Sequence, residues 1–538
     1  MSESTSRTEP EVKPPSSGGR GALSHRQIMT VLAGLMLGML LAALDMTIMA
    51  SATKTIADQL HGQTIQAWVT TAYLITATIS TPLYGKLSDI LGRKPMYLTA
   101  ITLFLTGSVL SGVANSMYEL AAFRAVQGLG AGGLMSLALA IIADMVSPRE
   151  RSRYQGYFMA IWGVSSVAGP VVGGFFAGAG TFAGIDGWRW VFLVNVPIGI
   201  IALIVVAKFL NVPHTRVNHR VDYMGASALA VALVPLLIVA EQGREWGWGS
   251  TAALSMYAIG AVGLVAFVFV ERMMGDEALL PLRLFRRPVF SLSNVINFVM
   301  GIGMFGMMMS LPLYLQIVKG ATPTESGLLT LPMTAGILVA SMGSGIIISK
   351  TGRYKRFPVV GLAVVSISMF LFAQIGVDTP MYQTMLIMGL AGLGLGLCMQ
   401  TLILAIQNDV PAKDMGVATS SATFFRSIGG TVGTAVFLSI LFSVTLSNLP
   451  IFPGGGGGAI DLNDTSFLAT LSPEQARPIL EAFSTGIDTV FMVGGIVVAI
   501  AFLLIWFLKE VPLSDKSGIQ RAADDEEAAA ASAPAIAH

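Results

Sequence analysis

From residue 28 to residue 508 the chain alternates between long apolar runs and short polar breaks. Runs of about 20 apolar residues cross a bilayer as helices, because a helix satisfies every backbone polar group within its own segment. The pattern predicts fourteen spans, near 28–53, 64–87, 96–114, 118–145, 155–178, 189–208, 222–241, 251–271, 288–316, 324–349, 357–376, 381–408, 417–446 and 485–508. The ends break the pattern. Residues 1–27 are rich in Ser, Pro and Gly and read as a disordered N-terminus, with no apolar core and cleavage site that would mark a signal peptide. Residues 509–538 finish in the low-complexity run ADDEEAAAASAPAIAH and read as a disordered tail. The GGGGG at 454–458 lies in a long, flexible outside loop, 447–484.

Composition strengthens the membrane reading. Only 12% of the 538 residues are charged and 54% are hydrophobic, with a mean hydropathy of +0.71; soluble domains carry roughly a quarter charged residues. The net charge of +1 conceals an asymmetry. With the N-terminus inside, 25 of the 32 Lys and Arg fall in cytoplasmic segments, five fall outside, and two, Arg124 and Arg426, sit within spans. Cytoplasmic loops are expected to hold that excess. An even number of spans then puts both termini in the cytoplasm. Cys398 is the single cysteine and lies in a span, so no disulfide framework exists.

The chain also repeats itself. GKLSDILGRKP at 85–95 is echoed by GIIISKTGRYK at 345–355: an offset of 260 carries Gly85, Gly92 and Arg93 onto Gly345, Gly352 and Arg353. The same offset carries Gly169 and Gly173 onto Gly429 and Gly433, while Asp89 becomes Ser349. A repeat on this scale predicts two six-helix bundles, 28–208 and 288–508, with two helices and their linkers inserted at 209–287. Two bundles that rock about a midplane cavity make a transporter architecture.

Charges inside the membrane are the first candidates for chemistry, since each costs about 2.5–3.5 kcal/mol on insertion scales. Asp45 is the one carboxylate placed deep within a span. Burial raises a carboxyl's proton affinity and a neighbouring cation lowers it, so Asp45 is the expected proton carrier. Arg124 must face a cavity or a partner. Arg426 has Ser166 at the matching place in the first half and is a candidate for substrate contact or coupling. In the 85–95 stretch, Gly92 suits the end of one helix and Pro95 the first turn of the next. Gly85 suits close helix approach. Asp89 stands four residues before Arg93, the spacing of a pair on one helical face, and Asp144 is a second possible partner. Gly169, Pro170, Gly173 and Gly174 suggest tight helix crossing with a proline kink.

These stretches resemble the major facilitator superfamily. GKLSDILGRKP resembles its signature loop between helices two and three, RAVQGLGAGG (124–133) its fourth-helix motif, and GVSSVAGPVVGGFF (163–176) its antiporter motif. LDMTI (44–48) and WRWVFLVNVPIG (188–199) resemble the fourteen-span drug:proton antiporter branch, the EmrB/QacA group. The resemblance spans about 28–508. It implies an all-α, polytopic major facilitator fold. It gives Asp45 and Arg124 to proton coupling. It makes Gly85, Asp89, Gly92, Arg93, Lys94 and Asp144 a cytoplasmic latch between the halves, and it makes the 169–174 motif a seal at their interface. One departure stands out. Where that branch commonly continues into an Asn-Val-Ala-Leu-Pro-like run, this chain has Ala50, Ser51, Ala52, Thr53 and Lys54, which weakens the case for a preference for cations.

The favoured function is therefore a proton-driven exporter of amphipathic or hydrophobic compounds in the plasma membrane. It would use the proton gradient and no cofactor or metal, act as a monomer in the lipid bilayer, and bind no nucleic acid. A dedicated exporter of an endogenous lipid, siderophore or natural product shares the mechanism. A proton-coupled importer is disfavoured by the GPxxGG stretch. A membrane enzyme is disfavoured because all five histidines read as loop or tail residues and no catalytic cluster or GxxxxGK[ST] loop occurs.

Overall fold

The computed structural model describes residues 25–62, 65–211, 221–449 and 471–521. A helix runs through every predicted span. The first group is α1 (His25–Gln59), α2 (Gln66–Leu91), α3 (Arg93–Gly112), α4 (Met117–Met145), α5 (Pro148–Gly178) and the short α6 (Trp190–Leu193) leading into α7 (Asn195–Phe209). Next come α8 (Tyr223–Trp246) and α9 (Thr251–Met274). The last group is α10 (Pro288–Leu313), α11 (Pro323–Leu329) with α12 (Leu331–Thr351), α13 (Arg356–Phe372), α14 (Met381–Asp409), α15 (Met415–Asn448) and α16 (Pro473–Ile505). Among the described residues, twelve helical segments are long and apolar enough to cross a membrane. The other two spans run through α2, whose apolar residues are interleaved with Thr and Ser, and α13, which has 17 residues.

Local chemistry sets the helix ends. Ser116, Ser147, Asp222 and Ser250 each accept a backbone N–H as N-caps of α4, α5, α8 and α9. Thr322 with Glu325 and Ser472 with Gln475 form capping boxes, each followed by a proline at the first helical position. The second box starts α16 at Pro473, inside the stretch expected to be loop; the glycine run at 454–458 lies outside the described residues. Gly92 (φ 99°) and Gly352 (φ 69°), equivalent in the repeat, both end their helices at positive φ. Gly92 adopts an extended positive-φ conformation, whereas Gly352 takes the left-handed one that usually ends a helix.

Three features depart from expectation. A two-residue hairpin, Thr181–Phe182 paired with Ile185–Asp186, precedes α6; it is too short to leave a periodic signal. His25 opens α1 instead of lying in a tail. Residues 509–521, expected to be disordered, lie against the helices: Asn408 donates to Pro512 O at 3.1 Å and accepts from Ser514 N at 3.1 Å, and Glu510 accepts from Tyr354 N at 2.9 Å.

Apolar packing forms one core from α1–α5, α7, α8, the α9–α10 connection, the end of α14 and the first turns of α15, and another from α10 and α12–α16. A smaller cluster around Trp188, Val191 and Phe192 closes the far ends of α1, α4 and α5. Two helix pairs make most of the contact between the first group and the last. Along α5 and α12, a Cβ on Gly163 would stand 3.1 Å from Leu338 and Thr334, and one on Gly345 would collide with Ser152 O. Along α2 and α15, a Cβ on Gly85 would collide with Ser420 Oγ and stand 2.8 Å from Gly416 O. Gly85 and Gly345, equivalent in the repeat, thus both lie where helices of the two groups touch.

Candidate functional site: a buried ion pair and a charged turn

Asp45, midway along α1, is 1% exposed, and so is Arg124 on α4. Arg124 Nη1 lies 2.5 Å from Asp45 Oδ2, a charge-assisted contact sealed from solvent. The pair is held by residues from three more helices. Gln127, one turn past Arg124, donates to Asp45 Oδ1 at 2.8 Å and to Ser108 Oγ of α3 at 2.7 Å, and accepts from Arg124 Nη1 at 2.6 Å. Asn195, the first residue of α7, donates to Asp45 Oδ1 at 3.1 Å. Tyr73 of α2 lies under the guanidinium, its ring centroid 4.2 Å from Cζ. Arg124 Nε and Asn195 Oδ1 have no hydrogen-bond partner, so the network is incompletely satisfied. Such a network can rearrange when one charge changes.

Gln127, Asn195, Ser108 and Tyr73 were not singled out by sequence reasoning. Gln127 and Asn195 lie inside motifs quoted above, and each is a buried amide in an apolar helix. A polar group there needs a partner, so that cost was the available signal.

The second constellation lies at the end of the bundle that carries the α2–α3 turn (the turn face). Arg93 bridges two acids: Nη1 lies 2.6 Å from Asp89 Oδ1 and Nε 2.7 Å from Asp144 Oδ2. Asp89 also accepts from the first amides of α15, Gly416 N at 3.0 Å and Val417 N at 2.9 Å. A carboxylate at a helix N-terminus satisfies orphan N–H groups and complements the helix dipole. Lys94 is not part of this cluster. Its ammonium reaches Asn211 at 2.9 Å, beyond the end of α7, because adjacent residues of a helix do not face the same way. Where the repeat exchanges Asp89 for Ser349, the sign inverts: Arg149 donates to Ser349 O at 3.0 Å and Lys350 O at 3.2 Å, placing a cation at the C-terminus of α12.

Arg151, counted above only as a loop arginine, is fully buried. It donates to Gln407 Oε1 at 2.7 Å and Ala143 O at 2.6 Å, tying the α4–α5 corner to α14. Arg426 on α15 is half-buried, and its Nη1 has no hydrogen-bond partner.

The 169–174 motif divides. Gly169 and Gly173 pack on α1, where a Cβ would collide with Thr47 Oγ1 and Ser51 Oγ respectively. That contact lies within the first group of helices, not between the groups. Only Pro170 faces across, toward Gly327 of α11. Gly174 meets nothing within 4 Å and is exposed, so it forms no helix crossing.

Comparison with known proteins agrees with this architecture. The chain is 34% identical to the multidrug transporter protein MdtP of Bacillus subtilis, over 96% of this chain and 98% of that one. It is 37% identical to an uncharacterised MFS-type transporter of Mycobacterium tuberculosis, over 90% of this chain and 70% of that one. A tetracycline resistance determinant of Streptomyces rimosus is 38% identical over 54% of this chain and 92% of its own length. Among solved structures, the proton:xylose symporter XylE superposes with a TM-score of 0.63 at 16% identity, covering 93% of this chain and 99% of that one. Human MFSD10 superposes with a TM-score of 0.61 at 14% identity, covering 89% and 99%. A sequence model of the Major Facilitator Superfamily matches residues 35–434, more than half of the chain, and the chain is therefore a multi-pass membrane transporter belonging to that superfamily.

Proposed function

We propose that the chain exports hydrophobic or amphipathic small molecules across the plasma membrane in exchange for inward-moving protons. One observation carries the reading: the Asp45 carboxylate, midway along α1, is sealed in the apolar bundle in an ion pair with Arg124. The names of relatives, a multidrug transporter and a tetracycline resistance determinant, favour this class of cargo. The reading includes fourteen crossings, bundles at 28–208 and 288–508, both termini and the turn face in the cytoplasm, and action as a monomer without a cofactor.

In this mechanism Asp45 is the proton carrier. Ionised, it accepts from Arg124, Gln127 and Asn195 together. Protonation removes the charge that Arg124 balances, which loosens α1 from α4 and favours the other arrangement of the bundle. Asp89, Arg93 and Asp144 act as the latch, because rocking the turn face open separates Asp89 from the first amides of α15. The two arrangements are then discrete rigid-body states. Arg426, whose Nη1 has no hydrogen-bond partner among the described residues, is assigned to substrate contact.

The test uses protein reconstituted in liposomes that contain a pH dye, under an imposed proton gradient. A drug that moves protons through wild type and not through Asp45→Asn supports antiport through Asp45. Normal coupling in Asp45→Asn removes that assignment. A wide drug panel that moves no protons replaces multidrug export by a single dedicated cargo.

A further inference from the structure

The inserted helices α8 and α9 end at the turn face in an arrangement that the transport reading leaves unused. Asp222 caps α8, its Oδ1 accepting Gly225 N at 2.6 Å. Glu271, in the last turn of α9, accepts Leu280 N through Oε2 at 2.8 Å. Both side chains are sealed, at 2% and 1% exposure. Among the described residues, the remaining oxygen of each, Asp222 Oδ2 and Glu271 Oε1, has no hydrogen-bond partner. These two oxygens converge on the same point. A Cβ on Gly225 would collide with Asp222 Oδ2 and stand 3.0 Å from Glu271 Oε1.

Two ionised carboxylates so placed only accept hydrogen bonds, and they repel. Neither orphan oxygen can satisfy the other. One proton resolves both faults, since a protonated carboxyl donates to its ionised neighbour and leaves the pair with a single negative charge. The surroundings supply the counter-charge. From α2, Lys86 is 6% exposed and within electrostatic reach of Glu271, Asp89 and Asp414. From the α9–α10 loop, Asp276 O accepts from Lys86 Nζ at 2.8 Å, and Arg283 pairs with Asp276 at 2.6 Å. Arg283 continues to Asp414, before the first turn of α15, at 2.8 Å.

We propose that Asp222 and Glu271 share one proton, forming a proton-binding site in the inserted helix pair that is separate from Asp45. Its release leaves two facing anions beside one lysine and drives Glu271 from the Leu280 amide. The loop after α9 is held by that amide and by Lys86 and Asp414, so the site reports pH at the turn face to the neighbourhood of Asp89. This proposal goes beyond the transport reading and does not depend on what Asp45 carries.

The test compares the full-length protein with Asp222→Asn, in which the amide oxygen keeps the α8 cap and the N–H takes the place of the shared proton. Glu271→Gln is a second, independent mimic. The folded pair keeps a proton that unfolded carboxyls lose above about pH 4, so it makes the wild type lose stability as pH rises from there. Thermal unfolding from acid to mildly alkaline pH is expected to show that slope in wild type and a smaller one in both variants, and infrared spectra at neutral pH are expected to lose the intensity of one protonated carboxyl in each. Asp45 is present throughout and cancels. Equal slopes with unchanged carboxyl intensity would overturn the proposal. So would stabilisation of wild type by sodium or potassium with no carboxyl intensity lost in the variants, because the pair would then hold a metal cation.

Discussion

Asp89 and Val417 stand 328 positions apart, and the carboxylate of one accepts the amide of the other at 2.9 Å. A helix of the first group thereby caps a helix of the last. The same carboxylate holds Arg93, so the closed turn face depends on one side chain with two duties.

Replacing Asp89 by Ala is expected to uncap α15. Each orphaned amide costs about 1–3 kcal/mol when left unpaired. Hydrogen exchange at Gly416 and Val417 should quicken by at least roughly tenfold, the rate equivalent of 1.4 kcal/mol. Unchanged protection would show that the first turn of α15 does not rely on Asp89.

Asn195 holds Asp45 from α7 by one hydrogen bond of 3.1 Å. Hydrogen bonds to charged groups contribute about 1.5–3 kcal/mol, so Asn195→Ala should lower proton-coupled transport in liposomes by roughly tenfold or more. A conservative Asn195→Asp places a second acid beside Asp45 and should reduce it further. Wild-type rates in Asn195→Ala would remove Asn195 from the network that matters.

Two glycines of one motif should respond in opposite directions. Gly169→Ala drives a methyl into Thr47 of α1, and overpacking of this kind costs about 1–3 kcal/mol. Gly174→Ala meets open space and should stabilise its helix by roughly 0.5–1 kcal/mol, the intrinsic difference between the two residues. Thermal unfolding in detergent reads both. A common sign would contradict the packing described for α1 and α5.

The segment after α16 is anchored by Asn408, which bonds Val511 O, Pro512 O and Ser514 N. Asn408→Ala should expose residues 511–521 to limited proteolysis while α14 stays intact. Resistance equal to wild type would show that the contacts of Glu510 with Tyr354 and Lys355 suffice.

The helices were legible because bilayer thickness and backbone hydrogen bonding force long apolar runs, and glycine, proline and capping residues mark their ends in the chain itself. Asp45 and Arg124 were legible for a related reason, since a charge in such a run is too costly to be idle. Apart from Arg93 with Asp89 and Asp144, the pairings were not. Nothing in the chain's local pattern says that Arg124 meets Asp45, that Lys94 turns away from Arg93, or that Gly174 faces open space while Gly173 grips α1. Gln127 and Asn195 carry no charge and so stood out less, although each gives Asp45 a hydrogen bond.

By itself, the sequence determined a helical membrane chain with an internal repeat and a small set of costly polar residues, because those properties depend on composition and on spacing along the chain. Tertiary structure decided most of which polar groups satisfy one another. Helices far apart in sequence bring Asp89 to Val417 and Arg151 to Gln407, and the packing of two consecutive helices brings Asp222 toward Glu271; such meetings depend on how helices pack, not on the order of residues within any one of them.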